Sequence, residues 1–179
     1  GNRLPNLDTV KWLIIPDAST RHAALRTSKI DILHGLNAED RDVLLKTNPK
    51  LQFSRDIATS VTLLFARLDK KPFNDLRVRQ ALSLAIDYPA IVKNYYLGEA
   101  EVLAYPFPPE FKDTYIPLAE LPEPTRQLFG YNPEKAKQLL AEAGYPKGFK
   151  TGVICYSTYV DILSIIKDYW AAIGVDLKI

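Results

Sequence analysis

Only one of the 179 residues is a cysteine, Cys155, so no disulfide can close within the chain and no cluster of cysteines can hold a metal. A single thiol leaves the redox compartment open. Histidine is scarce too: His22 and His34 are the only two, and they lack the paired spacing of a metal-binding helix. An excess of one charge is also missing, because 23 basic residues face 21 acidic ones and the two kinds are interspersed. That balance gives no broad footprint for nucleic acid or an anionic membrane, and neither is expected as a partner. No apolar run approaches the ~20 residues that cross a bilayer, so no membrane insertion is expected of this chain. Methionine is absent, position 1 included, and Gly1-Asn2-Arg3-Leu4-Pro5 lacks the charged and apolar regions of a signal peptide.

The usual signatures of catalysis are missing as well. There is no nucleophile elbow, no phosphate-cradling glycine loop and no dinucleotide fingerprint. Cys155 ends an apolar strand-like run and reads as a small core residue. The sequence therefore points away from an enzyme: no catalytic residue, no metal and no cofactor is expected.

What is present suits a folded α/β protein, since a hydrophobic fraction of 47% suffices for a core. Residues 10–15 and 30–33 are β-rich. Between them Asp17 or Ser19 can cap a short helix through Ala23, Ala24 and Leu25. Asn37, with Asp40 three residues on, caps a second helix that Pro49 ends. Residues 51–53 and 60–68 are strand-like, and the second run is apolar enough to lie inside a sheet as its central strand. After a turn at 70–75, Val78, Ala81, Leu82, Ala85 and Ile86 recur at helical spacing behind the cap Asp75. Asp87 caps the next helix, with Pro89 in its first turn and Gly98 at its end. Residues 99–131 carry Pro106, Pro108, Pro109, Pro117, Pro122 and Pro124, which predicts a long ordered loop. Asn132 and Pro133 open a helix that Gly144 closes. Residues 150–156 read as a strand, and Ile162, Leu163, Ile165, Ile166, Tyr169 and Trp170 as an amphipathic helix ending near Gly174. Val175-Asp176-Leu177-Lys178-Ile179 reads as a further strand, the pattern expected of an excerpt that stops inside a fold.

Pro72-Phe73-Asn74-Asp75-Leu76-Arg77-Val78-Arg79-Gln80-Ala81-Leu82, continued by Ala85-Ile86-Asp87 and Gly98, resembles the dipeptide/oligopeptide/nickel class of extracellular solute-binding proteins. The likeness continues through Tyr131-Asn132-Pro133-Glu134-Lys135-Ala136, Leu139-Leu140, Glu142-Ala143-Gly144-Tyr145-Pro146, Gly148-Phe149 and Ile173-Gly174-Val175. Upstream, Pro16-Asp17-Ala18-Ser19-Thr20-Arg21, Ala24-Leu25 and Ile30-Asp31-Ile32 are similar to the strand–helix–strand that precedes the crossover between lobes in that class. Most of these residues read as structural: Asp75 and Asp87 as caps, Arg77 and Arg79 as partners of carboxylates or carbonyls.

The resemblance implies a periplasmic-binding-protein-like α/β fold, a mixed sheet with flanking helices. Residues 1–58 would be part of a first lobe with its crossover, and 59–179 an incomplete second, ligand-binding lobe. It implies the substrate-binding component of an ABC importer, which captures oligopeptides or similar solutes between hinged lobes and hands them to the permease subunits. The location implied is the periplasm or the extracytoplasmic membrane face, with a signal segment upstream. Nickel or haem chelates on the same scaffold, or a sensor or interaction module without transport, are the alternatives. Alternate strand residues share a side, so Leu63, Phe65 and Arg67 share one that in the family points toward the cleft. Phe65 stands where some relatives carry a polar residue, and Arg67 where asparagine is common. Arg67 can meet a ligand carboxylate or pair with Asp69 or Asp75. Tyr156, Thr158 and Tyr159, with Ser157, form the second candidate contact, and Tyr105 and Phe107 in the proline-rich loop a third.

Overall fold

The computed structural model describes residues 6–55, 62–102, 109 and 111–179. By contact the chain divides into two units, Gly1–Ser54 and Arg55–Ile179.

The first unit holds α1 (Ala18–Arg26) and α2 (Ala38–Thr47). Both begin where a side chain can accept from a helix N–H that has no intrahelical partner. Asp17 takes the Thr20 N–H at 2.7 Å and Asn37 takes that of Asp40 at 2.7 Å. Glu39 and Asp40 add negative charge at the positive end of α2. Arg21 reaches back from α1 to the carbonyls of Ile15 and Pro16, at 2.8 and 2.7 Å, and so fixes the approach to the helix. Residues 10–15 and 30–33, expected as strands, run without ladder pairing among the described residues. Propensity made them extended, but a strand also needs a neighbour to take its N–H and C=O groups. Without one, Ile14 is 94% exposed.

The second unit contains α3 (Leu76–Leu84), α4 (Tyr88–Asn94), α5 (Glu123–Gln127), α6 (Pro133–Glu142) and α7 (Val160–Ala171). Its strands are β1 (Lys150–Gly152) and β2 (Asp176–Lys178). They pair in parallel, with Lys150 opposite Asp176, Thr151 opposite Leu177 and Gly152 opposite Lys178. Parallel neighbours need a crossover, and α7 supplies it. Asp75, Asp87 and Asn132 cap α3, α4 and α6 through the N–H groups of Arg77, Ala90 and Lys135, at 2.9, 2.9 and 3.0 Å.

The core of this unit follows the helical spacing of α3. Val78, Ala81, Leu82 and Ala85 are buried with Ala136 and Leu140 of α6, Ile162 and Trp170 of α7, and Val175 and Leu177 at β2. Alanines at 81 and 136 let α3 and α6 lie close. The last carbonyls of α3 are fully accounted for. Ala81 accepts from Ala85 N–H at 3.0 Å, Ser83 from Ile86 N–H at 3.1 Å and Leu84 from Asn132 N–H at 2.8 Å. Leu82 accepts from the Trp170 indole at 3.0 Å, a buried bond. A helix end that would otherwise bury orphan carbonyls thus becomes the joint where three segments meet.

Two arginines act as the sequence suggests. Arg77 pairs with Asp75 and donates to the carbonyl of Glu142 at 2.6 Å, closing α6, and Arg79 donates to Phe73 at 2.7 Å. The approaches to β1 and β2 cross at Gly148 and Gly174, both at positive φ. A Cβ on Gly148 would collide with the Gly174 backbone, and one on Gly174 would lie 2.9 Å from the Lys147 carbonyl. The predicted strand over 150–156 is shorter than expected: Val153 N–H still reaches Lys178 at 2.9 Å, but pairing stops there. Residues 62–68, the described part of the expected central strand, have no ladder partner among the described residues. Among the described residues of the proline-rich loop the sequence reading missed a 3₁₀ turn at Leu118–Glu120 and the helix α5, whose Pro122 and Pro124 sit where a helix start tolerates proline.

Candidate functional site

The extended segment 62–68 and the turn 156–159 carry the five nominated contact residues. Phe65 is 85% exposed, in a segment where Leu63 and Leu64 are also open to solvent. Arg67 grips Asp69 with both arms of its fork, Nε to Oδ1 at 2.8 Å and Nη2 to Oδ2 at 2.7 Å. This shared bonding holds Asp69 below the ordinary carboxylate range and Arg67 above its ordinary value. Asp75, the other partner considered, belongs to Arg77.

Tyr156 is 80% exposed and leads into the 3₁₀ turn Ser157–Tyr159, in which Thr158 is exposed and Tyr159 less so. Gly152, Ile154 and Tyr156 face outward while Thr151, Val153 and Cys155 are half-buried. Period-two alternation thus outlasts β1, which keeps Tyr156 and Ile154 on one open face. Cys155 is a free thiol on the inward-facing side. Among the described residues no hydrogen bond, ion pair or ring contact joins Phe65, Arg67, Tyr156 and Thr158 to one another. Tyr105 and Phe107 lie outside the described residues.

A further group lies in the turn that follows α4. Beyond the last turn of α4, Tyr95 and Tyr96 meet edge to face with ring centroids 4.7 Å apart. Tyr96 is partly buried and packs against the core of the second unit. Burial pushes its pKa above the ordinary tyrosine value, Tyr95 and Tyr159 add to that, and Thr62 opposes it. Arg55 pairs with Glu99 at 2.9 Å and reaches the Gly98 carbonyl at 3.5 Å. Leu97 between them adopts a φ of 53°, unusual for a bulky residue. The doublet Tyr95-Tyr96 was the signal available in the sequence, and helical periodicity alone does not single it out.

No three His, Cys, Asp or Glu side chains come together as a metal site among the described residues. His22 lies 3.8 Å from Asp40, and His34 stacks on Trp12 with centroids 6.4 Å apart. The nominated residues offer aromatic faces, hydroxyls and one engaged guanidinium, groups suited to contact and hydrogen bonding.

The family model for bacterial extracellular solute-binding proteins, family 5, middle, matches residues 1–179. Heme-binding protein A of Haemophilus influenzae is 38% identical over 145 residues, 81% of this chain and 25% of that protein. The glutathione-binding protein GsiB of Escherichia coli is 30% identical over 179 residues, 98% of this chain and 33% of that protein. Among solved structures, the oligopeptide-binding protein AppA of Bacillus subtilis in complex with a nonapeptide superposes with a TM-score of 0.69 at 28% identity. It covers 92% of this chain and 34% of that one. The chain thus spans a quarter to a third of the length of these relatives. It belongs to family 5 of the bacterial extracellular solute-binding proteins.

Proposed function

We propose that this chain is part of the solute-binding component of an ABC importer, in the periplasm or on the extracytoplasmic face of the membrane. In this reading it captures a peptide or similar small solute between two lobes, without making or breaking a covalent bond, for delivery to permease subunits. The observation that carries it is the family match along the whole chain. Residues 1–58 serve the first lobe and 59–179 the second. The ligand is met by Phe65 and Tyr156 as exposed faces, by Thr158 and Tyr159 through hydroxyls, and by Arg67 once a ligand carboxylate competes with Asp69 for its fork. Peptide ligands suit such a surface, which offers stacking and hydrogen bonds and leaves side-chain pockets permissive.

The haem-binding relative at 38% identity favours one second reading, a haem or other chelate as the solute. Mass spectrometry of what co-purifies with the full-length protein separates the two, followed by calorimetric titration with reduced glutathione and with a nonapeptide, and by haem absorbance. Peptide recovered and bound supports the first reading. Stoichiometric haem supports the second. A full-length protein that carries and binds none of these overturns both.

A further inference from the structure

Three consecutive residues in the last turn of α3 hold three separate segments. The Leu82 carbonyl takes the Trp170 indole of α7 at 3.0 Å, and the Leu84 carbonyl takes the Asn132 N–H at 2.8 Å. Ser83 between them works through its side chain: its hydroxyl donates to the Leu128 carbonyl at 2.8 Å and lies 3.0 Å from the Tyr88 hydroxyl. A serine has one proton to give. With that proton on Leu128, the Tyr88 phenol must be the donor in the other bond, which makes a chain from Tyr88 through Ser83 to Leu128. Burial raises the Tyr88 pKa above the ordinary tyrosine value, against a smaller opposing pull from Ser83, so the phenol keeps the proton this chain needs. Leu128 follows the last residue of α5, and its carbonyl is one that a helix end leaves without an intrahelical donor. Tyr88 also meets Phe129, with ring centroids 5.5 Å apart and planes at 44°.

What this chain holds is a stretch that otherwise bonds to itself. The hydrogen bonds seen among the described residues for 117–127 run within that stretch or to the next three residues. Glu120 N–H reaches Pro117 at 2.9 Å, Arg126 N–H reaches Pro122 at 3.1 Å, and the side chains of Arg126 and Gln127 both turn to Glu123. None of residues 117–127 is buried, and Leu128 is where the stretch first rests on the main core.

We propose that the hydroxyl chain from Tyr88 through Ser83 to Leu128 is a latch: it docks residues 117–129 on the second unit, and when it breaks that stretch opens alone, with the bond from Asn132 to Leu84 as its pivot. Opening leads to local melting, because α5 has five residues and a helix that short does not persist in water without packing. The latch goes beyond the function proposed above and holds whatever the solute is.

The test uses the full-length protein with Ser83→Ala, Tyr88→Phe and Ser83→Thr. Ser83→Ala removes both bonds, Tyr88→Phe removes one and keeps the ring against Phe129, and Ser83→Thr keeps the hydroxyl. Opening is read by hydrogen exchange at 120–130 and by the rate of tryptic cleavage after Arg126, and the rest of the unit by exchange at Asn132, in α6 and in α7. Loss of one neutral hydrogen bond in Tyr88→Phe should speed exchange and cleavage about three- to tenfold. Ser83→Ala should do more, since the Leu128 carbonyl then lacks its donor as well, and Ser83→Thr should match the wild type. Protection at Asn132, in α6 and in α7 should stay as it was. Equal acceleration in α6 and α7 would mean that Ser83 supports the whole core, and would overturn the latch. Unchanged exchange at 120–130 in Ser83→Ala overturns it too. If Ser83→Ala does not fold, Tyr88→Phe decides by the same two readings.

Discussion

The two units of this chain contain similar elements and bury very different amounts. In Gly1–Ser54 the helices α1 and α2 are well capped, yet among the described residues Leu44 alone joins the buried hydrophobic set, and Trp12 and Ile14 stand exposed. In Arg55–Ile179 every helix of more than one turn that meets the sheet or α3 contributes a side chain to one continuous core. Capping bonds are local and form wherever the sequence places an Asp or Asn before a helix. A core needs distant segments to meet, and only the second unit has the joint at the end of α3 that brings them together. Good local signals thus do not guarantee a buried interior, and stability should be distributed very unevenly along the chain.

The sharpest way to break that comparison is at the crossing of Gly148 and Gly174. Gly148→Ala adds a backbone collision to a left-handed backbone, and should destabilise the second unit by about 3–5 kcal/mol. Denaturant unfolding combined with hydrogen exchange should show protection lost across residues 62–179 and kept at α1 and α2. Equal loss in both units would mean that they do not differ as described. Next in size is the pair Leu140→Ala and Leu44→Ala. Leu140 is 1% exposed inside the main core, so its truncation should cost about 3–4 kcal/mol, against about 2 kcal/mol for Leu44, whose neighbourhood can relax. Similar losses at the two sites would remove the asymmetry.

Trp170→Phe sharpens the account of the joint. It keeps most of the ring volume and leaves the Leu82 carbonyl buried without its donor, which should cost about 1–3 kcal/mol. A loss no larger than that of a conservative core substitution at Ile162 would show that packing alone holds the joint.

How much of this was legible beforehand depended on the range of the interaction. Asp17, Asn37, Asp75, Asp87 and Asn132 were readable as caps because the acceptor and its N–H lie two or three residues apart. The helical faces of α3, α6 and α7 were readable from periodicity, and the roles of Arg77 and Arg79 from their residue type. Of the strands, β1 and β2 were readable within 150–156 and 175–179, whereas 10–15, 30–33 and 62–68 have the right composition and no ladder partner among the described residues, because pairing depends on segments far away in sequence. The helix α5 was hidden by prolines that a first turn accepts. At the site, alternation put Leu63, Phe65 and Arg67 on one side, but every described residue of 62–68 is exposed, so alternation does not single out Phe65.

The smallest effect concerns acid, and it bears on a feature found in each unit, an aspartate that caps a helix with a lowered pKa. Asp75 is held at about 2, first by its side-chain bonds with Arg77, then by the Arg77 N–H it caps. Asp17 in the first unit is also lowered, by the Thr20 hydroxyl and N–H. A carboxylate whose pKa is lower folded than unfolded lends stability that is complete above the unfolded value and disappears as pH falls through the folded one. Both units should therefore weaken on acidification, the second over a window reaching from about pH 5 down to about pH 2. Asp75→Asn keeps an oxygen to accept the Arg77 N–H and removes the titration, so it should flatten the acid limb of the second unit and leave that of the first. Asp17→Asn should do the reverse. If Asp75→Asn leaves the slope of stability against pH unchanged over that range, the Arg77 fork does not stabilise the carboxylate in solution, and the closure of α6 by Arg77 must rest on the Glu142 carbonyl alone.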